Sequence, residues 1–320
     1  MPAFHTKSGL VADIGGTHAR FAMADAKGAI CAPETLAVAD YGSVVEAARA
    51  YLKGETPEAL VFAVAGPVKD GRIHFTNSGW SFSEAELRET LGVKRARLIN
   101  DFEAQSRAVA HLPKAALVHL GGPRDFDAKA DGTIALVGPG TGLGVGGFVR
   151  SGKCGVALVT EGGHASFAPC DELEVEILKI LMKRFGHVSC ERLLCGPGLA
   201  NLFEAMSEIE GKPRKAPEPV SITDTAKRDP KSLEARVFLK FCAILGSVAG
   251  DVALTMGARN GVLIAGGILP DAVDILKASD FRARFEAKGR FADYMRAIPT
   301  LLIVEPHAGL IGAASVLDAA

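Results

Sequence analysis

Two segments rich in glycine and threonine stand where backbone amides could hold a phosphate. They are residues 13–17 (Asp-Ile-Gly-Gly-Thr) and residues 138–144 (Gly-Pro-Gly-Thr-Gly-Leu-Gly), and each follows an apolar run typical of a buried strand. Glycine lets N–H groups approach phosphate oxygens closely, and threonine adds a hydroxyl donor. Asp13 offers the kind of oxygen ligand that Mg²⁺ prefers. Either turn alone could be an ordinary hairpin, but two in matching positions favour a pair of loops that bind one polyphosphate.

Asn100-Asp101 follows a short apolar run at residues 96–99 and precedes a helical pattern. An aspartate at this position is usually the N-cap of the helix. The functional alternative is a general base that takes a proton from a hydroxyl group, with Asn100 binding a neighbouring hydroxyl.

A second polar set is expected near the end of a later strand. Glu161 and His164 are separated by two glycines, which would let both side chains turn toward one pocket. Amide, carboxylate and imidazole groups suit a polyhydroxyl ligand, because such a ligand needs many directional hydrogen bonds. Taken singly, His164 is typical of a satisfied loop histidine and Glu191 of a solvated charge.

Gly266-Gly267 follows the apolar run 262–265 and could let an adenine or ribose lie flat on the backbone, although a plain turn explains the pair equally well. Other motifs are excluded. A G-x-G-x-x-G spacing occurs at residues 142–147, but strand-like residues follow where a dinucleotide site needs a helix. Neither G-x-x-x-x-G-K-[ST] nor G-x-S-x-G occurs, so no P-loop and no nucleophile elbow is predicted.

The composition limits the class of protein. The chain has 320 residues, 48% of them hydrophobic, and its 36 basic and 37 acidic side chains give a net charge of −1. Such a length predicts two domains, and the charge balance argues against a nucleic-acid binder. No signal peptide is expected, and the six cysteines form no Cys-x-x-Cys pair, which indicates reduced thiols in a cytoplasmic protein without structural zinc. Glycine is unusually frequent, with 36 residues, and Gly121-Gly122 is one cluster without an evident role.

The elements that must position these residues form a repeat. Strand, turn, strand, turn, strand and helix are predicted over residues 10–53 and again over 133–185. Capping boxes are expected at Ser43/Glu46, Ser83/Glu86 and Asp171/Glu174. Residues 212–230, with four prolines and many charges, are expected to be a surface excursion. The apolar run 241–256 contains two glycines and an aspartate, so no membrane span is predicted.

Together these segments resemble the bacterial glucokinases of the hexokinase–actin–sugar kinase superfamily, over almost the whole chain. The motifs that carry the resemblance are residues 12–17 with Ala19-Arg20, 76–80 (Thr-Asn-Ser-Gly-Trp), 99–102 (Ile-Asn-Asp-Phe), 140–144, 161–164, 186–189 with Glu191-Arg192, 196–199 and 264–268. No Cys-x-Cys-Gly cluster is present, which places the chain in the zinc-free branch. His18, where the family often has asparagine, and Pro139, in place of a small residue, are departures.

The resemblance implies two actin-like, ribonuclease H-like α/β domains flanking a deep ligand cleft, one of residues 1–110 plus 303–320 and the other of residues 111–302. It implies ATP-dependent phosphorylation of D-glucose at the 6-hydroxyl, with Asp101 as the base and with Mg²⁺ held by Asp13, directly or through water. The residues implied for glucose are Asn77, Asn100, Asp101, Glu161, His164 and Glu191. Those implied for the nucleotide are Asp13, Gly15, Gly16, Thr17, Gly140, Thr141, Gly142, Gly266 and Gly267.

Three alternatives remain open at this point. The chain could phosphorylate another hexose such as mannose or fructose, it could be a sugar-sensing regulator without catalysis, or it could be an actin-like polymerising ATPase. The two phosphate loops argue against the second, and the Asn-Asp and Glu-x-x-His sets argue against the third. The resemblance also implies a homodimer. The thiols, the charge balance and the hydropathy predict a cytoplasmic protein that binds neither nucleic acid nor membrane.

Overall fold

The computed structural model describes residues 9–25, 27–75 and 79–317, and this part of the chain is mixed α/β. Its strands are β1 Gly9–Ile14, β2 His18–Ala24, β3 Ile30–Ala37, β4 Ala59–Val64, β5 Arg72–His74, β6 Ser81–Ser83, β7 Arg95–Asn100, β8 Leu117–Gly121, β9 Gly132–Pro139, β10 Leu143–Ser151, β11 Cys154–Val159, β12 Gly261–Ile264 and β13 Thr300–Ile303. Its α-helices are α1 Val44–Leu52, α2 Glu84–Leu91, α3 Asp101–Ala108, α4 Glu172–Phe185, α5 Gly196–Ile209, α6 Pro219–Arg228, α7 Leu233–Met256, α8 Val273–Ala278, α9 Phe281–Glu286, α10 Ala292–Arg296 and α11 Ala308–Ala314.

The described residues group into two compact units. The first contains those up to residue 114, residues 156–159 and those from 305 onward, and the second contains residues 115–155 and 160–304. The bounds drawn from the sequence, 1–110 plus 303–320 and 111–302, stay a prediction about domains.

The first unit is built on a five-stranded sheet of order β3-β2-β1-β4-β7. β1, β2 and β3 form the predicted antiparallel meander, and β4 and β7 continue the sheet in parallel. Side chains of β4 alternate between two apolar clusters, one shared with α1 and α2 and the other with α3 and α11. Burial on both faces explains why β4 is apolar at every position (Ala-Leu-Val-Phe-Ala-Val).

The second sheet begins in the same way, with the order β11-β10-β9-β12-β13-β8. β9 and β10 are antiparallel, β12 is parallel to β9, and β13 is parallel to β12. The predicted repeat of architecture is therefore confirmed in its strand order. The additional strand β8, which the sequence reading missed, pairs antiparallel with β13 at the edge.

Helix α7 is the core helix of the second unit. It is the one described helix long and apolar enough to cross a membrane, yet 72% of its most apolar 18-residue window is buried inside the protein. Gly246 and Gly250 make this burial possible, because a Cβ at either would collide with backbone oxygens of α9, at Phe281 and Phe285. The glycines that interrupt the apolar run thus mark a close helix crossing.

Two expectations about local structure need correction. Residues 212–230 are not simply a surface excursion, since they contain α6, whose Ile222, Thr223 and Ala226 are buried. Pro219 starts this helix at a position where its missing N–H costs nothing, and the proline count hid that signal. The capping box is complete only at α2.

At α1 and α4 the N-cap bond forms, but the glutamate carboxylate accepts from the residue before the cap. Glu46 accepts from the N–H of Gly42, and Glu174 accepts from the N–H of Cys170. Both helices therefore start at the predicted residue. Of the two hydrogen bonds of a capping box, the one from the N-cap N–H to the glutamate carboxylate is replaced by one from the preceding residue.

Candidate functional site

The candidate site residues of the first unit lie along one edge of its sheet. In register, Ile14 of β1 is opposite Val64 of β4, and Val64 is opposite Asn100 of β7. The carboxyl ends of these parallel strands therefore bring the turn after β1 and the start of α3 to the same edge. Ligands of open parallel sheets bind at such carboxyl edges.

The turn after β1 has an exposed tip. The N–H of Gly15 donates to the carbonyl oxygen of His18 at 2.9 Å, which closes the turn, while Gly16 and Thr17 are exposed. A Cβ at Gly15 would meet only that carbonyl oxygen, at 3.6 Å, and the φ of Gly15 is not in the left-handed region. Packing does not require glycine here, which favours a ligand that approaches the backbone from outside.

Asp13 is held in a narrow, mostly buried position beside this turn. Its carboxylate packs against Gly309 of α11, where a Cβ would lie 2.8 Å from Oδ2. The Arg20 guanidinium is 3.7 Å from Oδ2, an ion pair too long for a hydrogen bond. Burial raises the pKa of Asp13, and the Coulombic effect of Arg20 only partly opposes this shift. The carboxylate is thus incompletely compensated, and its ionised form is stabilised by added positive charge.

These features fit Mg²⁺ as a partner of Asp13. Among the described residues no three His, Cys, Asp or Glu side chains cluster as a metal site. A single carboxylate is nevertheless the usual protein contribution to Mg²⁺ bound with a polyphosphate, which supplies further oxygens together with water.

Asn100, not Asp101, caps α3. Oδ1 of Asn100 accepts from the N–H groups of Phe102 (2.9 Å) and Glu103 (3.2 Å), and its amide nitrogen donates to the carbonyl oxygen of Gly66. The interpretation of Asp101 as the N-cap was wrong, because the residue before it takes that role. Asp101 is the first residue of the helix, partly exposed, and its Oδ1 accepts from the N–H of Phe102 at 2.8 Å. Asn77 lies outside the described residues.

The second predicted phosphate loop, residues 138–144, belongs to the second unit and is hydrogen-bonded to the start of α5. The N–H of Gly140 donates to the carbonyl oxygen of Gly142, and the N–H of Gly196 donates to that of Gly140, both at 2.8 Å. Thr141 is exposed at the tip. As at Gly15, a Cβ at Gly140 would meet little, with only the Gly142 oxygen at 4.0 Å. Glycine at this position again serves something other than packing.

The Gly266-Gly267 pair lies beside this loop, and its two members differ. Gly266 has φ +86°, and a Cβ there would collide with the carbonyl oxygen of Pro139, so the fold requires glycine. Gly267 has no such need, because nothing lies within 4 Å of its Cβ position. Instead it lines a cavity of about 180 Å³ together with Leu199 of α5, Ile268, Asp271 and five residues of α6, namely Pro219, Val220, Thr223, Asp224 and Lys227.

The structure brings Glu161, His164 and Glu191 together. His164 lies between the two carboxylates, with Nε2 4.0 Å from Oε2 of Glu161 and Nδ1 3.8 Å from Oε1 of Glu191. Glu161 and His164 are 74% and 61% exposed, so both can reach a ligand, whereas Glu191 is 32% exposed. Glu191 is not a solvated charge, because its Oε2 accepts from the N–H of Leu143 at 2.8 Å.

The buried thiols of this unit are not reactive groups. Burial raises the pKa of Cys190 and of Cys195 to about 11 and that of Cys242 to about 12. All three are therefore protonated at neutral pH, whereas a nucleophile or metal ligand would need the thiolate.

Comparison with known proteins decides the family. The family model for glucokinase matches residues 10–320. The chain belongs to the glucokinase family. A glucokinase of Caulobacter sp. (strain K31) is 48% identical over 312 residues, which cover 96% of this chain and 94% of that one. One of Xanthomonas euvesicatoria pv. vesicatoria is 46% identical over 320 residues, with 97% and 95% coverage.

Solved structures agree with this family at the level of the fold. The crystal structure of a glucokinase from an Antarctic psychrotroph has TM-score 0.86 and 37% identity, covering 99% of this chain and all of that one. A ROK-family glucokinase from Streptomyces griseus, solved with glucose and AMPPNP, has TM-score 0.64 at 18% identity, covering 98% of this chain and all of that one, and supports the shared fold alone. This member of the glucokinase family thus has the actin-like two-domain α/β fold of sugar kinases.

The sequence reading did not assign Arg20, Gly309 or the α6 cavity. A signal for Arg20 existed, because a hairpin closed by residues 15–18 pairs Ile14 with Ala19 and hence Asp13 with Arg20. Gly309 and α6 gave no comparable signal, since their contacts join segments far apart in the chain.

Proposed function

We propose that this chain catalyses transfer of the γ-phosphoryl group of ATP to the 6-hydroxyl of D-glucose. The observation that carries the proposal is Asp101 at the carboxyl edge of the first sheet, in a chain that matches the glucokinase family from residue 10 to residue 320. Because Asn100 performs the capping, the fold does not need Asp101 as a cap, which supports a chemical role for its carboxylate.

In the proposed reaction the sugar oxygen attacks the γ-phosphorus while Asp101 accepts the hydroxyl proton. The new O–P bond forms as the bond from the γ-phosphorus to the bridging oxygen breaks, and ADP leaves with that electron pair. Catalysis of this kind depends mainly on alignment and on stabilising negative charge. The backbone N–H groups of Gly16, Thr17 and residues 141–142, with the hydroxyls of Thr17 and Thr141, are proposed to hold the phosphates. The N–H groups of Gly15 and Gly140 already donate within their own turns, so these two glycines are proposed to let a phosphate approach the backbone closely.

Glucose is proposed to bind through the amide, carboxylate and imidazole side chains of the polar residues described above. Asn100 can donate its second amide hydrogen, and Glu161, His164 and Glu191 can exchange hydrogen bonds with hydroxyls on neighbouring carbons. Asn77 is proposed to lie close to the sugar. We propose that Asp13 holds Mg²⁺, which when bound would neutralise phosphate charge.

The cavity at Gly267 is the proposed place for the adenosine. Leu199 and Val220 supply apolar surface for a base, and Val220 is 66% exposed, unusual for a large apolar side chain. The polar side chains of Thr223, Asp224 and Asp271 line the same cavity and can bind ribose hydroxyls.

A coupled assay of ADP release with ATP and a panel of glucose, mannose and fructose tests the function. We expect glucose to give the highest kcat/KM. Failure to phosphorylate any hexose would overturn the proposal, and a clear preference for mannose or fructose would replace glucose as substrate. An assay of glucose 6-phosphate formation with ATP, ADP or polyphosphate as the donor tests the role of ATP, because only the first of these donors releases ADP.

We also propose a cytoplasmic homodimer, on the resemblance to bacterial glucokinases. Light scattering on the purified chain, coupled to size-exclusion chromatography, should give about twice the chain mass of 33.4 kDa. A mass equal to that of one chain would contradict the dimer, and recovery of the chain in the membrane fraction of cells would contradict the localisation.

A further inference from the structure

The two carboxylate oxygens of Glu191 face different parts of the second unit. Oε2 accepts from the backbone N–H of Leu143 at 2.8 Å, and Oε1 faces Nδ1 of His164 at 3.8 Å. Leu143 follows directly on the second phosphate loop, whereas His164 belongs to the set proposed to bind the sugar. One side chain therefore contacts both binding segments.

The carboxylate of Glu191 packs so closely against the phosphate loop that position 142 has room only for glycine. A Cβ at Gly142 would lie 2.5 Å from Oε2 of Glu191, so any side chain there would displace the carboxylate. Leu143 is itself only 5% exposed, which means that water cannot readily replace the carboxylate as partner of its N–H. The conformation of the loop and the position of Glu191 thus depend on each other.

Glu191 is also fixed from its backbone side. The thiol of Cys195 donates to the carbonyl oxygen of Glu191 at 3.0 Å, and the next residue, Gly196, donates its N–H to the Gly140 oxygen at 2.8 Å. The phosphate loop, the start of α5 and Glu191 consequently form a closed ring of hydrogen bonds and main chain.

We propose that Glu191 couples sugar binding to nucleotide binding within the second unit. The inference rests on the proposed function, since it takes glucose and ATP as the ligands. A sugar hydroxyl bonded to Oε1 holds the carboxylate in place, and Oε2 then holds the phosphate loop in the conformation that binds the nucleotide. Coupling of this kind is reciprocal, so a nucleotide on the loop must raise the affinity for glucose by the same factor.

The first test measures nucleotide affinity without sugar and again with saturating glucose, so that the ratio of the two affinities gives the coupling. Calorimetric titration of the full chain with AMPPNP and MgCl₂ is compared for the wild type, Glu191→Ala and the matched control Glu161→Ala, whose carboxylate does not contact the loop. Without sugar we expect Glu191→Ala to weaken AMPPNP binding about tenfold, because the N–H of Leu143 loses its partner, and Glu161→Ala to leave it within about twofold. Saturating glucose should tighten AMPPNP binding in the wild type but not in Glu191→Ala. Glu191→Gln should restore most of the affinity, because its amide oxygen can still accept from Leu143.

The second test measures glucose affinity with no nucleotide present. Gly142→Ala is expected to weaken glucose binding about tenfold, although it alters the phosphate loop, because it displaces Glu191. Gly140→Ala, in the same loop but with an open Cβ position, should leave glucose binding within about twofold. Thermal unfolding of each variant confirms that it is folded.

The outcomes separate this inference from the proposed function. If the wild type phosphorylates glucose but Glu191→Ala binds AMPPNP like Glu161→Ala, or Gly142→Ala binds glucose like Gly140→Ala, the coupling role is wrong and the function stands. If the wild type neither binds nor phosphorylates glucose, the proposed function is wrong, and the coupling proposal that rests on it is wrong as well.

Discussion

At the scale of single residues, the start of α3 shows two neighbouring polar side chains in different positions, one as the N-cap and the other in the first turn. Asn100 satisfies two N–H groups at the helix terminus and also bonds Gly66, which fixes the strand-to-helix turn. Asp101 then stands within the first turn, where the partial positive charge of the helix N-terminus favours a carboxylate. An ionised carboxylate held at a fixed place is what a general base requires.

Replacing Asp101 by Asn tests this role. The amide keeps the size of the side chain but cannot take a proton, so we expect kcat to fall by ~10²–10⁴ while glucose affinity stays within several-fold. Glu103→Gln is the matched control, because it removes the same charge from the same helix. Near-normal kcat in Asp101→Asn, measured in the coupled assay, would contradict the assignment.

The two glycines after β12 give a second residue-scale prediction. Gly266→Ala should destabilise the fold by about 1–3 kcal/mol, because its φ is positive and the Pro139 oxygen occupies the Cβ position. Gly267→Ala should change the unfolding free energy by less than about 0.5 kcal/mol, since its Cβ position is open.

Gly267→Ala is instead expected to raise the KM for ATP several-fold, because it narrows the cavity proposed for adenosine. Urea unfolding and steady-state kinetics of both variants check the two effects separately. Unchanged ATP kinetics in Gly267→Ala would argue against that cavity as the nucleotide site.

At the scale of elements, the start of α5 depends on an unusual cap. Sγ of Cys195 accepts from the N–H of Gly198 at 3.3 Å while its thiol donates to Glu191. Sulfur is a weak acceptor, whereas serine is among the best N-cap residues. Pro197, at the second helical position, favours the first turn of α5. The thiol cap is therefore the part of this helix start that a substitution can improve.

Cys195→Ser is therefore expected to increase the free energy of unfolding by about 0.5–1 kcal/mol, and Cys195→Ala to decrease it by a similar amount. Urea denaturation followed by circular dichroism measures both. If serine and alanine give the same stability, the thiol does not function as a cap.

At the scale of the whole molecule, a partly buried ionic cluster in the second unit joins three helices. Asp171 caps α4, and together with the fully buried Glu174 it contacts Lys240 of α7 and Arg284 of α9. Because removing one member would leave a buried charge unpaired, such a cluster is sensitive to each of its parts.

The cluster predicts acid sensitivity. Burial by itself raises the pKa of Asp171, but bonds to Lys240, to the Glu174 N–H and to Arg284 outweigh it and lower the pKa to about 2. A carboxyl group whose pKa is depressed on folding contributes stability above its unfolded pKa, about 3.9, and this contribution is lost as the pH falls toward 2.

Urea unfolding at several pH values between 6 and 2.5 should thus show stability falling most steeply below about pH 4. Asp171→Asn should be less stable at pH 6 and should lose less on acidification. Asp293→Asn, which removes a 92% exposed carboxylate, is the matched control and should follow the wild type. Equal acid sensitivity in Asp171→Asn and the wild type would contradict the cluster's role.

The sequence by itself determined the repeated meander, the starts of α1, α2 and α4, and the positions of the chemical segments. Strands and helices repeat their apolar residues every two or about 3.6 positions, and an N-cap residue bonds a residue three positions later. These signals lie close together in the chain, so they can be recognised from short segments of sequence. Asn100-Asp101 and the glycine loops were found in this way. The roles given to them, and to Asn77, stay proposals for experiment.

Only the tertiary structure decided which polar atoms meet. Glu191 contacts Leu143 across 48 residues, and the unexplained Gly121-Gly122 makes room for Arg282, whose Nη1 bonds Ile298. Such pairs depend on how helices and strands pack, and no local pattern encodes them. The same reason buries one side of α6. It also makes Glu191, which is typical of a solvated charge in the sequence, a side chain that lies between Leu143 and His164.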